Sequence, residues 1–370
     1  RVMIVGQYAA SIALVAVSLI IYQQLKYVHE TDPGYDREHV VTVRTRDRAL
    51  AEGYSSIRNE WLRQANVEAV TASGHLPTNI GSSTTLQGWE DSAEGAEVRI
   101  YQEDVDYDYL EVFGIELAAG RNFSREVSGD TLDKYLINET AARAMGWTPE
   151  EAVGRYFLRS DRQNTIIGVM KDFHMHSMHL QIEPLMIGLD TEWVGYISAR
   201  VSPGDLQATI ASLENILRQF SPYPFEYQFL DENFDQLYEA ETRLGQTFGF
   251  FTILALIIAS LGLFGLAAFA AEQRRKEIGI RKVLGADVSG LVALLSREFL
   301  LLVAIAFVLA APVAYYVMHR WLENFAYRIE MGPGVFVVAG VLALFIALAT
   351  ISYQSVRAAM ADPVKSLRYE

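Results

Sequence analysis

Three histidines crowd into "DFHMHSMH", at positions 174, 176 and 179. Imidazoles that close can share a metal ion, and in a strand His174 and His176 lie on one face. A closed zinc site needs four ligands, yet the chain has no Cys and no suitably spaced carboxylate completes the set. The stretch reads as a His-rich loop or domain edge. "EDVDYDYLE" puts Asp104, Asp106 and Asp108 at alternate positions, like the opening of a calcium loop. Such a loop needs Gly sixth and Glu twelfth, where this chain has Tyr109 and Ile115. The alternation reads as a solvated face. Asn138-Glu139-Thr140 has the spacing of a glycosylation acceptor. No G-x-x-x-x-G-K-[ST], G-x-S-x-G or H-E-x-x-H occurs, so the sequence offers no phosphate cradle, nucleophile elbow or metalloprotease helix. No catalytic, cofactor-binding or metal-ligating set is assigned.

The elements that would position any such residue are unevenly charged. Residues 29–240 hold 36 of the 45 Asp/Glu but only 17 of the 31 Lys/Arg, while the apolar residues gather in the remainder. A net charge of −14 over 370 residues argues against nucleic acid as a partner. Four uncharged runs stand out: Val2 to Leu25, Leu244 to Ala271, Phe299 to Met318 and Met331 to Val356. Each is near or above the roughly 20 residues a helix needs to cross a bilayer. All four read as transmembrane helices, the first in preference to a signal peptide because it lacks a small-residue cleavage site. They contain no Asp, Glu, Lys, Arg or His, which weighs against an ion-coupled transporter or channel. Pairs of small residues suited to close helix packing recur: Ala9 and Ala13, Gly262 and Gly265, and Ala339, Ala343 and Ala347.

Charge also predicts sidedness. With both ends and the 272–298 link inside, ten Lys/Arg flank the spans on the cytoplasmic side. Four (Lys26, Arg243, Arg320 and Arg328) lie outside. The acidic domain then faces outward, and Tyr22, Tyr27, Tyr315, Tyr316 and Trp321 fall where an outer aromatic belt would sit. The reading is a multi-pass α-helical membrane protein, residues 1–28 being the first span and 29–240 an extracytoplasmic α+β domain. Residues 241–271 hold a stalk end and the second span, and 299–370 the third and fourth spans with a cytoplasmic tail.

Inside the domain, "HVVTVRT" (39–45), "NTIIGVM" (164–170), "PLMIGL" (184–189) and "GYISARV" (195–201) have strand composition. Ile57, Trp61, Leu62 and Ala65 share a helix face, as do Leu206, Ile210, Leu213, Leu217 and Phe220, with Asp205 read as the N-cap. Residues 76–160, rich in Gly, Ser and Thr, suggest an inserted subdomain. From about Glu232 the helical pattern runs toward the second span, as a rigid stalk would.

"EQRRKEIGIRKVLGA" (272–286) puts five Lys/Arg between two apolar spans. Ordinary attraction to anionic headgroups, worth about 1 kcal/mol per basic residue, accounts for the charges. It does not account for the stripe Ile280, Val283 and Leu284 or for Gly279 and Gly285, which fit a helix lying in a partner's groove. Here the chain resembles FtsX/MacB-type ABC transporter permeases. The resemblance is carried by "RRKEIGIRKVLGA" (274–286), "FGIELAAGRNF" (113–123), "INETAARAMG" (137–146), "IIGVMKDFH" (166–174), "LGLFGLAAF" (261–269) and "DPVKSLRYE" (362–370). It implies a MacB-like periplasmic core, a βαβ porter-like part with an inserted subdomain. It also implies that Arg274, Arg275, Lys276, Glu277, Ile278, Gly279, Ile280, Arg281, Lys282, Leu284 and Gly285 couple to a cytoplasmic ABC ATPase. The chain itself would bind no cofactor, with ATP held by that partner subunit. The first span resembles the start of the second repeat in eight-span members, so a second permease unit is expected, as the other half of a longer chain or as a dimer mate. An envelope or outer-membrane partner is also implied. The alternative is a membrane-anchored sensor or scaffold whose outer domain binds without energy input.

Overall fold

The computed structural model describes residues 2–45, 48–127, 129–130, 133–159, 162–190, 194–273, 280 and 288–360. The chain divides into two units: Thr31 to Glu239, and the helices before and after it.

The membrane unit consists of α1 (Val2–Glu30), α9 (Glu239–Gln273), α10 (Val288–Leu322) and α11 (Gly334–Met360), each long and apolar enough to cross a bilayer. Helix α1 is central, with Ile4, Tyr8, Ile12, Val15 and Ala16 buried in one core shared by all four. The other helices bring stripes at i,i+4 spacing: Ala259, Leu263 and Ala267 from α9; Ala306, Ala310 and Ala314 from α10; Ala339, Ala343 and Ala347 from α11. Small side chains at that spacing let helix axes approach, so dispersion contacts replace the hydrophobic drive that lipid cannot supply. The approach is close enough that a Cβ on Gly340 would lie 2.8 Å from the Phe307 ring. Polar groups are spent sparingly. Ser18 and Thr252 share a hydroxyl hydrogen bond of 2.9 Å. Gln24, fully buried, donates to the Tyr327 carbonyl at 3.0 Å and accepts from the Ile329 amide at 2.9 Å, pinning the loop between α10 and α11.

The outer unit is built on an 11-stranded sheet of order β11-β1-β10-β2-β4-β9-β6-β8-β5, with β3 on β4 and β7 on β8. A first lobe holds β1 (Val40–Arg44), α2 (Arg48–Glu52), α3 (Tyr54–Leu62), β2 (Val67–Ser73), β10 (Tyr196–Val201), α7 (Leu206–Leu217) and β11 (Tyr227–Phe229). Its strands are all antiparallel neighbours in the order β11-β1-β10-β2. Two βαβ units interleaved in that order make the split βαβ, ferredoxin-like topology. Trp61, Ile57, Leu213 and Leu217 fill the core between sheet and helices. The N-cap of α7 is Asp205, whose side chain accepts from the Ala208 amide at 3.1 Å.

Everything between β2 and β10 is an insertion. It contains β3 (Ser83–Gln87), β4 (Glu97–Val105), α4 (Tyr109–Phe113), β5 (Leu117–Gly120), β6 (Lys134–Asn138), α5 (Glu139–Ala144), α6 (Pro149–Ala152), β7 (Tyr156–Arg159), β8 (Arg162–Met170) and β9 (Leu185–Leu189). It is longer than the stretch 76–160 read from the sequence, because β8 and β9 pair with β6 inside it. Its ends meet where a Cβ on Gly195 would lie 2.1 Å from the Gly74 carbonyl oxygen, so only glycine fits. The sheet joins across the lobes by one residue pair, Ser73 with Val105. A second core around Phe157, Trp147, Ile137 and Ile166 belongs to the insertion.

The stalk anticipated from about Glu232 is interrupted. Helix α8 (Leu230–Gln236) ends, Leu237 and Tyr238 form a turn, and α9 begins afresh at Glu239.

Candidate functional site

Of the residues resembling a coupling element, 274–279 and 281–287 lie outside the described residues. Ile280 is helical with its side chain exposed, and Glu272 and Gln273 end α9 exposed. The packing residues divide. Ala339, Ala343 and Ala347 are fully buried in the membrane core. A Cβ on Gly262 would lie 2.7 Å from the Gln7 Oε1, so α9 runs close to α1 there. Gly265 is different: its face is exposed and an added Cβ would touch nothing. Residues three apart lie on roughly the same helix face, yet only Gly262 meets α1, so Gly262 and Gly265 do not serve one contact. The stripe Ala306, Ala310 and Ala314 escaped the sequence reading, although it has the same spacing as 339, 343 and 347.

The aspartates of "EDVDYDYLE" are not a solvated face. Asp106 is 3% exposed and accepts from the Tyr54 hydroxyl. The Arg125 guanidinium reaches both carboxylates, at 3.1 Å to Asp106 and 2.6 Å to Asp108. Arg58 bonds Asp108 and stands 3.6 Å from Asp106. Burial alone would raise Asp108, but hydrogen bonds from Arg125 and Arg58 outweigh it and hold the carboxyl below its usual range. Burial, then Asp106, pushes the Tyr54 phenol far up, so it remains a donor. Tyr54 and Arg58 come from α3 in the first lobe; Arg125 comes from the insertion, its guanidinium 4.6 Å over Tyr107. The network therefore bolts the two lobes together beside their single-pair sheet junction. Alternating aspartates in sequence give no clue to it, because the arginines that neutralise them are 17 to 50 residues away.

A second buried carboxylate was also invisible in sequence. Glu103 accepts from the His75 amide at 2.7 Å and meets its ring Nδ1 at 2.8 Å. The hydrogen bond to Glu103 raises His75, and burial raises Glu103 despite its partner.

The three clustered histidines point in separate directions. The His174 amide donates to the Pro33 carbonyl at 2.8 Å, and burial lowers its imidazole pKa. His176 packs edge-on to Tyr101 at 5.0 Å, and His179 stacks on Tyr238 at 6.1 Å. Among the described residues no three His, Asp or Glu side chains are placed to hold a metal. Asn138 is no glycan acceptor in this fold: it is fully buried, caps α5 through the Ala141 amide at 2.9 Å, and bonds Glu183 and Leu185. The described residues thus offer packing stripes in the membrane unit and an ionic bolt between the lobes of the outer unit.

Comparison with known proteins assigns the chain to a family. The family model "MacB-like periplasmic core domain" matches residues 8–216, over half of the chain, and "FtsX-like permease C-terminal" matches 249–363. The macrolide export ATP-binding/permease protein MacB of Escherichia coli K12 is 21% identical over 196 residues, as is that of Shigella flexneri; the match takes in 49% of this chain and 30% of each relative. Among solved structures, the periplasmic region of MacB from Actinobacillus actinomycetemcomitans is 16% identical. The alignment covers 57% of this chain and 97% of that one with a TM-score of 0.39. The extracellular domain of YknZ, a transporter from Gram-positive bacteria, is 15% identical, covering 51% and 97%, with a TM-score of 0.36. With a MacB-like periplasmic core set among FtsX-like membrane helices, the chain belongs to the FtsX/MacB-type permeases of ABC transporters.

Proposed function

We propose that this permease couples ATP hydrolysis in a separate cytoplasmic ATPase subunit to motions of its outer unit, with both ends of the described chain on the cytoplasmic side. The observation that carries this reading is the basic linker at 272–286, set between two uncharged spans at the junction the FtsX-like match includes. Arg274, Arg275, Lys276, Glu277, Ile278, Gly279, Ile280, Arg281, Lys282, Leu284 and Gly285 would dock on the ATPase and receive its stroke. Because the four uncharged runs hold no Asp, Glu, Lys, Arg or His, the membrane unit moves as packed rods and not as an ion path. A second permease unit, the other half of a longer chain or a dimer mate, completes the assembly. The motion serves export or extraction of a peptide, drug or lipoprotein, or control of an envelope partner. The relatives' name, macrolide export, supports the export arm.

The test replaces Arg281 and Lys282 together by Glu and expresses the full protein beside its ATPase. Membrane insertion should be unchanged while co-purification of the ATPase and its stimulation are lost. Undiminished co-purification overturns the docking role, and the absence of any ATPase partner of the wild type leaves the sensor or scaffold reading in its place.

A further inference from the structure

The chain enters the outer unit at Thr31, directly after α1, and leaves it at Glu239, the first residue of α9. Motion passed along the backbone between membrane and outer unit must therefore travel through the incoming residues 31–38 and the outgoing residues 230–238. Both are gripped by one segment of the insertion, residues 172–178, in the connection from β8 to β9.

On the incoming side, the His174 amide donates to the Pro33 carbonyl at 2.8 Å. The Tyr35 ring meets Phe173 edge-on at 6.2 Å. Between them Gly34 adopts φ +85°, and a Cβ there would lie 2.7 Å from the Phe173 Cβ and 2.8 Å from the Asp172 carbonyl oxygen. No other residue fits that approach without shifting the segment. On the outgoing side, the Met178 amide donates to the Tyr238 hydroxyl at 2.7 Å. Tyr238 is fully buried in the very turn that interrupts α8 and α9. The two linkers also touch each other, with the Arg37 guanidinium 4.0 Å over the Phe234 ring.

The segment is rooted in the insertion at its other end. Asp172 accepts from the Thr140 amide at 2.8 Å and its hydroxyl at 2.7 Å, and its own amide donates to Glu139 at 3.0 Å, all at the start of α5. The Met175 carbonyl accepts from the Ile80 amide at 3.3 Å, in the loop whose Thr78 bonds Asn233 of α8. Phe173, Met175 and Met178 are buried among these partners.

We infer that residues 172–178 are the coupling clasp of the outer unit, the element that converts relative movement of its two membrane linkers into movement of the inserted lobe. The inference rests on the coupling reading above and adds where in the outer unit the stroke is received. Two linkers held by one short buried segment cannot shift against each other without displacing it, because close-packed interiors transmit strain instead of absorbing it. The segment's anchor on α5 passes that displacement to the inserted lobe.

Residues 1–370 hold no cysteine, so labels placed within them report only the introduced positions. Gln207→Cys on α7 and Glu94→Cys on the hairpin between β3 and β4, both exposed, report the distance between lobes by paired spin labels. The full protein is reconstituted in nanodiscs with its ATPase and measured with and without ATP. Tyr238→Phe keeps the ring and removes only the hydroxyl that Met178 bonds; Phe173→Ala empties the contact with Tyr35. Phe157→Leu, equally buried in the inserted core, is the control. The wild type and the control should show an ATP-dependent shift in the distance distribution. Tyr238→Phe should reduce the shifted population about fivefold, the effect of losing one hydrogen bond from the coupling. If the wild type responds and both clasp variants respond as fully, the clasp is overturned while the coupling reading stands. If the wild type itself shows no ATP-dependent shift, both fall. Misfolding of Phe173→Ala leaves the decision with Tyr238→Phe.

Discussion

In the outer unit the carboxylate of Asp106 alone meets Tyr54, Arg58 and Arg125. In the membrane unit, Ala306, Ala310 and Ala314 share a core with Ala339, Ala343 and Ala347, and the runs 299–318 and 331–356 that hold them contain no Asp, Glu, Lys, Arg or His. The two regions solve the same problem, a fixed relation between neighbouring elements, with opposite chemistry. Water surrounds the outer unit, so apolar burial supplies the bulk of its stability and a buried charge network supplies direction and register. Lipid is as apolar as leucine, so burial is worthless there and fit is everything. One region is sensitive to charge, the other to volume.

That contrast can be broken from either side. Asp106→Ala should be the most damaging change, because it leaves the buried Tyr54 hydroxyl without its acceptor and takes from Arg58 and Arg125 one of the two carboxylates they face. Losing hydrogen bonds to a charged group costs about 1.5 to 3 kcal/mol, with the arginines still paired to Asp108. Denaturant titration of the purified full chain, followed by tryptophan fluorescence to which buried Trp61 contributes, should show it, and wild-type stability would remove the network from the account. Ala343→Leu tests the other region. It adds no charge, only volume at a fully buried contact, and overpacking costs about 1 to 3 kcal/mol. The expected result is a lower melting temperature in detergent with the outer unit's unfolding unchanged; a wild-type value would count against the alanine stripe.

The smallest effect concerns pH. His75 has its pKa raised above its ordinary 6.5 by Glu103. The stability it contributes is full below 6.5 and fades as pH rises through the higher folded value. Its side chain is 39% exposed, so solvent screening holds the contribution to about 0.5 kcal/mol. His75→Gln should flatten the decline of outer-unit stability above pH 6.5, read as melting temperature against pH. An unchanged slope would assign the decline to other groups.

Residues differ in how openly they announce their roles. Asp205 shows as the cap of α7 because capping is local: the carboxylate and the Ala208 amide lie three residues apart. Likewise Leu206, Leu213 and Leu217 reveal their helix by spacing alone, although only the last two are buried. Asp106 was misread because its neighbours in sequence are other acids, while its partners in space are arginines brought by α3 and by the insertion. His174 invited a metal by its company in the chain, yet its amide holds Pro33, a residue far earlier in the chain. Gly265 looked like half of a packing pair with Gly262 and turned out to face outward.

What the sequence determined by itself is whatever local rules govern: four spans, because an uncharged run of sufficient length has one low-energy place to be, and the strands and helices whose period is written in successive residues. Partnership across distance came from folding in three dimensions. The interleaved order β11-β1-β10-β2, the Asp106 bolt and the grip of residues 172–178 on both linkers depend on loop closures among residues far apart in the chain. Such closures are selected by the whole core at once, through packing and charge neutralisation, and no short stretch of residues carries that information.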